Sequence, residues 1–141
     1  MSLALDSHKV VALYPRSVAT NATASVTVDT LGFNHAKVYV NVGVASSDVT
    51  VMHISDGTAS NNFATISTFV GGTGFTIPSA NTSSGYVAEF SVDLRKRNRY
   101  LRLQVENTSA ATVVSGEIIL GRAEIAPDTT TERGCAVFVA G

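Results

Sequence analysis

Between Tyr86 and Glu106 the side chains alternate between apolar and polar on both sides of a short charged interruption. Tyr86, Ala88, Phe90, Val92 and Leu94 share one face, with Val87, Glu89, Ser91 and Asp93 on the other. Beyond the interruption, Leu101, Leu103 and Val105 oppose Tyr100, Arg102, Gln104 and Glu106. A period of two is the signature of a half-buried β-strand, since successive side chains leave the backbone on opposite sides. The pattern therefore predicts two antiparallel strands joined as a hairpin. If they pair, their apolar sets must share a face. That parity allows Leu94 opposite Leu101 with Asp93 opposite Arg102, or Leu94 opposite Arg99 with Val92 opposite Leu101. An exposed ion pair is worth about 1 kcal/mol at most, so charge does not choose between the two registers.

The remainder of the chain carries the same period. Lys9–Tyr14 reads as a strand stopped by Pro15, which cannot donate to a ladder. Ala24–Thr30 alternates, Leu31–Asn34 is a turn, and Ala36–Val44 places five small apolar residues on one face. Val49–Ser55 follows a short turn, so the pair is expected as a second hairpin, with a polar loop opening at Asp56-Gly57. Phe63–Val70 is a further strand, and Phe75–Ile77 is a short extended piece. Thr112–Arg122 is a long strand in which Gly116 suggests a bulge. The segment from Asp128 to Gly134 has the composition for one helical turn, and Cys135–Ala140 reads as a last strand. Residues 1–8 have no period and are expected to form an arm preceding a single domain over residues 9–141.

Strands at roughly 10–15-residue spacing, with no long amphipathic helix, predict an all-β chain. The expected fold is a single-domain antiparallel β-sandwich of about eight to nine strands, jelly-roll-like rather than immunoglobulin-like. Length agrees, because a chain of 141 residues buries roughly two-thirds of its unfolded surface and needs no covalent staple. Cys135 is the single cysteine, so no intramolecular disulfide or paired-cysteine metal site is expected, and an intracellular assembly environment fits. No basic, then apolar, leader is seen at the N-terminus and no apolar run approaches the ~20 residues of a membrane span. With a formal net charge of −1, no global imbalance points to nucleic acid or to an anionic membrane.

Few residues suggest chemistry. His8, His35 and His53 lack a second ligand at metal-binding spacing and read as surface or strand-edge residues, so no metal and no cofactor are expected. No nucleophile elbow occurs, and Glu89, Asp93, Glu106 and Glu117 read as outward carboxylates of strands, so the chain is not expected to be an enzyme. The run Gly71-Gly72-Thr73-Gly74 has no Lys-Ser/Thr after it and reads as a turn rather than a phosphate loop. Three Asn-x-Ser/Thr matches, at Asn21, Asn81 and Asn107, lie in polar loops. The sharpest local feature is the interruption itself. Arg95, Lys96, Arg97 and Arg99 are four of the ten Lys and Arg residues of the chain, and they are the candidate docking site. They suit an acidic protein surface or phosphate. They also suit a merely solvated loop in which Arg99 and Arg102 pair with Asp93 or Glu106. Only Tyr100 interleaves them, so nucleic-acid binding by base stacking is not expected.

Three stretches together carry a resemblance: Leu5-Asp6-Ser7-His8-Lys9-Val10-Val11, Asp93-Leu94-Arg95-Lys96-Arg97-Asn98-Arg99-Tyr100-Leu101 and Glu132-Arg133-Gly134-Cys135-Ala136. In these the chain resembles small proteins encoded among the head genes of tailed bacteriophages. The resemblance implies a virion structural protein, a capsid decoration (cement) protein with a jelly-roll-like sandwich. It further implies a homo-oligomer, with a trimer favoured, bound to the major capsid protein on the outer capsid surface after assembly in the host cytoplasm. It brings no catalytic or ligand motif. The arm of residues 1–8 would then bind a capsid subunit or add a strand to a neighbouring protomer. The alternatives are a carbohydrate- or receptor-binding module of a phage head or tail fibre, and a small β-sandwich hydrolase.

Overall fold

In the computed structural model, residues 8–45, 48–80, 83–107, 111–123 and 129–133 are described. They form eight strands: β1 Lys9–Val18, β2 Ala22–Asp29, β3 Phe33–Val42, β4 Val51–Ala59, β5 Asn62–Val70, β6 Tyr86–Asp93, β7 Tyr100–Asn107 and β8 Thr112–Ala123. One helical turn, α1, spans Thr130–Arg133. The arm residues 1–7 and the expected strand at Cys135–Ala140 lie outside the described residues.

The strands make two four-stranded sheets, in the orders β1-β8-β3-β6 and β2-β7-β4-β5, and every pairing is antiparallel. Apart from β4–β5, each consecutive pair of strands crosses from one sheet to the other. Two four-stranded sheets linked this way are the double Greek key of a jelly roll, as expected from the strand count and spacing. The core lies between the sheets, where Val38, Val40, Ile54, Leu101, Leu103, Val105, Ile118 and Leu120 are all fully buried. Full burial of each such side chain is worth about 1.5–3 kcal/mol before the entropy of ordering the chain is subtracted. Asn107 and Thr112 are buried polar residues that satisfy one another, the Asn107 amide Nδ2 donating to Thr112 Oγ1 across the β7–β8 connection.

Both expected hairpins are corrected. β6 pairs with β3 alone, and β7 pairs with β2 and β4 in the other sheet. Neither register weighed for Leu94 and Leu101 exists, because the two strands are not neighbours. Their apolar faces both line the core, but from opposite sheets. Alternation fixes which face of a strand is buried, and strands facing each other across about 10 Å show the same alternation as strands side by side. The same holds for Ala36–Val44 and Val49–Ser55, since β3 and β4 also lie in different sheets.

Other boundaries shift for local reasons. β1 passes through Pro15 to Val18 because it is an edge strand, and its register with β8 slips between Leu13 and Arg16. A residue without an N–H is tolerated at such a bulge. The extra residue belongs to β1, so Gly116 is not itself bulged. β4 continues through Asp56-Gly57 to Ala59, because Gly57 meets the close approach of the Asn62 carbonyl instead of making a turn. The expected helical turn is present. Thr129 Oγ1 accepts from Glu132 N at 3.2 Å, and the Glu132 carboxylate accepts from Thr129 N at 3.2 Å, a reciprocal capping box.

Candidate functional site

The chain between β6 and β7 has to leave one sheet and enter the other. Asp93 makes that change of direction possible. Its carboxylate accepts from Arg95 N at 3.1 Å and caps a 3-10 turn over Leu94–Lys96, closed by Arg97 N donating to Leu94 O at 3.1 Å. Leu94 is buried under the turn. The Arg95 guanidinium folds back on the same carboxylate, Nε donating to Oδ1 at 2.9 Å and Nη2 to Oδ2 at 2.6 Å. These bonds hold the Asp93 carboxyl well below the usual carboxylate range.

The second half of the loop is tied to the β2–β3 turn. Arg99 forks onto Asp29, Nε to Oδ1 at 2.9 Å and Nη2 to Oδ2 at 2.7 Å, a bidentate geometry that fixes the side chain in direction as well as distance. Asp29 also accepts from Leu31 N at 3.0 Å, and Thr30 N donates to Arg99 O at 2.9 Å. The Arg99 bond is the main reason that the Asp29 carboxyl sits below its ordinary value of 3.8. Asn98 N donates to Asp56 Oδ2 at 2.9 Å, bringing in β4. Three carboxylates, Asp29, Asp56 and Asp93, thus stand behind the basic loop.

All four candidate docking residues, Arg95, Lys96, Arg97 and Arg99, are exposed on this one turn, but they are not equivalent. Arg95 and Arg99 hold the loop in place through Asp93 and Asp29. Among the described residues, Lys96 and Arg97 make no ion pair. The β2–β3 turn, which Asp29 and Thr30 join to the loop through Arg99, carries Leu31, 68% exposed. Alternation gave no reason to single out Leu31; the only signal was a large apolar residue inside a turn. The tip is therefore a rigid platform carrying two unpaired cations and one apolar side chain.

The local pairings expected for a merely solvated loop are partly corrected. Arg99 pairs with Asp29, not with Asp93 or Glu106, and Glu89 pairs with Lys37 at 3.0 Å. Arg102 has no ion pair among the described residues and lies over the Phe63 ring at 4.3 Å, crossing β4 on the outer face of the second sheet. Its register partner there, Ser55, is 1% exposed with a hydroxyl that has no partner among the described residues. His53 is partly buried on that face, and burial, with Arg102 nearby, lowers its pKa. This group was not legible in the sequence, because Phe63 and Arg102 come from strands far apart in the chain.

Among the described residues, no three His, Cys, Asp or Glu side chains are placed to hold a metal ion. In the Gly71–Gly74 turn, the Thr73 and Gly74 amides already donate to Val70 O, at 3.1 and 2.8 Å, so they are not presented to a phosphate. A cleft of about 320 Å³ opens between β5 and β6, with Phe69 and Phe75 packed edge-on against Phe90 at 6.0 and 5.1 Å.

No protein-family model matches the chain, and no curated protein matches it. Among solved structures it is similar to a Yersinia pseudotuberculosis-derived mitogen, with 8% identity and a TM-score of 0.45, over 86% of this chain and 92% of that one. A likeness at that level carries no functional information.

Proposed function

We propose that the chain is a virion structural protein, a capsid decoration protein that binds the outer surface of a phage head and stabilises it. The observation supporting this reading is the β6–β7 tip, where Lys96 and Arg97 face solvent on a turn braced by Asp93–Arg95 and Asp29–Arg99, with Leu31 exposed on the β2–β3 turn tied to it. A loop backbone held in place before binding loses less entropy on docking. An apolar anchor with cations at its rim suits a shallow apolar recess edged by carboxylates on the major capsid protein, the cations steering the approach and fixing orientation. The same resemblance proposes a homo-oligomer, with a trimer favoured, so that several tips engage one lattice site and avidity replaces individual affinity. Exposed Val44 and Val113, on adjoining strand ends at the far pole of the first sheet, offer an apolar subunit contact.

The direct test adds purified protein to empty heads that lack it. Co-sedimentation, a raised disruption temperature of the heads and a native mass above the monomer are expected. Absence of co-sedimentation even at low salt would remove the reading.

A further inference from the structure

The outer face of the first sheet has a hollow where β1 departs from its register with β8. Between Leu13 and Arg16 the ladder slips, and Pro15 has no N–H to restore it. Bulges of this kind re-aim the side chains they carry. Here the result is a recess of about 190 Å³ whose lining includes Tyr14, Asn41, Ser115 and Glu117. Tyr14 is 79% exposed, more than any other large apolar side chain among the described residues. A single exposed aromatic residue is unremarkable by itself. Its surroundings are what give it meaning.

Asn41 and Ser115 are register partners on β3 and β8, and Glu117 is the next outward residue along β8. An amide, a hydroxyl and a carboxylate therefore stand on one face within two rows of the ladder, beside an aromatic ring. Among the described residues none of these three side chains is engaged in a hydrogen bond or ion pair, whereas Glu89, in the same row as Glu117 through Tyr39, is held by Lys37. The set contains acceptors for vicinal hydroxyl donors, an amide that donates and accepts, and a π face whose negative quadrupole attracts polarised C–H groups. A sugar ring offers the complementary pattern, hydroxyls around its rim and C–H groups on one face. The lining has no cation and one carboxylate, which disfavours an acidic sugar. The volume is below the roughly 300 Å³ at which pockets begin to enclose drug-sized ligands, so it suits one ring.

We propose that the recess at the β1 bulge binds a neutral pyranose, the terminal residue of a glycan, with Tyr14 as the stacking platform and Asn41, Ser115 and Glu117 as its hydrogen-bonding groups. The tip described above sits at the start of β3 and the recess near its end, so docking through the tip leaves the recess open. The two readings are independent, since sugar binding is measured on the isolated chain.

The test is an NMR titration of the whole protein with glucose, galactose, mannose and N-acetylglucosamine, with N-acetylneuraminic acid as the anionic comparison. At least one neutral sugar is expected to bind with a Kd on the order of 1 mM, with shifts centred on Tyr14, Asn41, Ser115 and Glu117. Tyr14→Ala, at an exposed edge position, leaves the fold intact and is expected to weaken binding at least ~10-fold, about 1.4 kcal/mol. Glu117→Gln is expected to narrow the preference for neutral over acidic sugar. No shift with any neutral sugar, binding unchanged in Tyr14→Ala, or tighter binding of N-acetylneuraminic acid would each overturn the proposal.

Discussion

Replacing Gly116 by alanine separates packing from propensity, because the two predict opposite signs. A glycine inside a strand costs conformational entropy, and replacing it by alanine without strain ordinarily stabilises by about 0.4–1 kcal/mol. At Gly116 the added Cβ would stand 2.5 Å from the Tyr39 carbonyl oxygen on β3 and 3.5 Å from a Leu103 methyl. Cβ atoms essentially never come within 3.0 Å of such a neighbour, so β3 and β8 must part by about half an ångström. Neither strand can yield freely, since β8 is held between β1 and β3, and β3 between β8 and β6. Overpacking of a well-filled interior costs about 1–3 kcal/mol. After the entropy gain, Gly116→Ala should lose roughly 1–2 kcal/mol, which for a chain of this length lowers Tm by about 3–7 °C. Gly121→Ala, in the same strand, is the internal control. Among the described residues its Cβ would meet only the His8 ring at 3.5 Å, an ordinary contact, and it should be neutral or slightly stabilising. Thermal and urea unfolding followed by circular dichroism read both. A Gly116→Ala protein as stable as the wild type, or equal losses in both variants, would refute the close approach of β3 and β8.

Two further perturbations address the tip and the second sheet. Asp29→Asn should cost about 1 kcal/mol at neutral pH, since the bridge to Arg99 is half exposed. The folded pKa of Asp29 is lowered, so its contribution is present above the ordinary value of 3.8 and is lost as pH falls through the folded value. Urea titrations should therefore show wild type and variant converging in acid; a gap that persists at low pH would contradict the pairing. Ser55→Ala removes a buried hydroxyl without a partner among the described residues and should leave stability unchanged or raise it by up to about 1 kcal/mol, whereas a clear loss in thermal unfolding would reveal a bond to Ser55.

The faces of the strands were legible in the sequence, and their neighbours were not. Period two placed Val38, Val40, Leu101, Leu103 and Leu120 in the core, because burial leaves its record residue by residue. Whether β7 lies beside β6 or across from it leaves no such record. That choice is made by Asp93 capping a 3-10 turn and by Asp29 anchoring Arg99 from a distance of 70 residues. Glycine misled twice for the same reason. Gly57 suggested a loop and Gly116 a bulge, while both accommodate a neighbouring backbone carbonyl that only the folded chain brings near. The basic run at 95–99 was visible as composition, but its division into two bracing arginines and two outward cations depends on Asp29 and Asp93. Tyr14 was read as the last residue of a strand, and its recess exists because the edge strand absorbs Pro15 as a bulge.

The docking reading stands or falls on Lys96 and Arg97. The most direct measurement compares wild type with the Lys96→Ala, Arg97→Ala double variant for binding to empty phage heads across a salt series, alongside Tm. Two rim charges worth about 1 kcal/mol each predict binding weakened ~10-fold or more at low salt, with a shallower salt dependence and an unchanged Tm. Binding of the double variant equal to wild type at every salt concentration would show that the tip is merely solvated and that the capsid contact lies elsewhere.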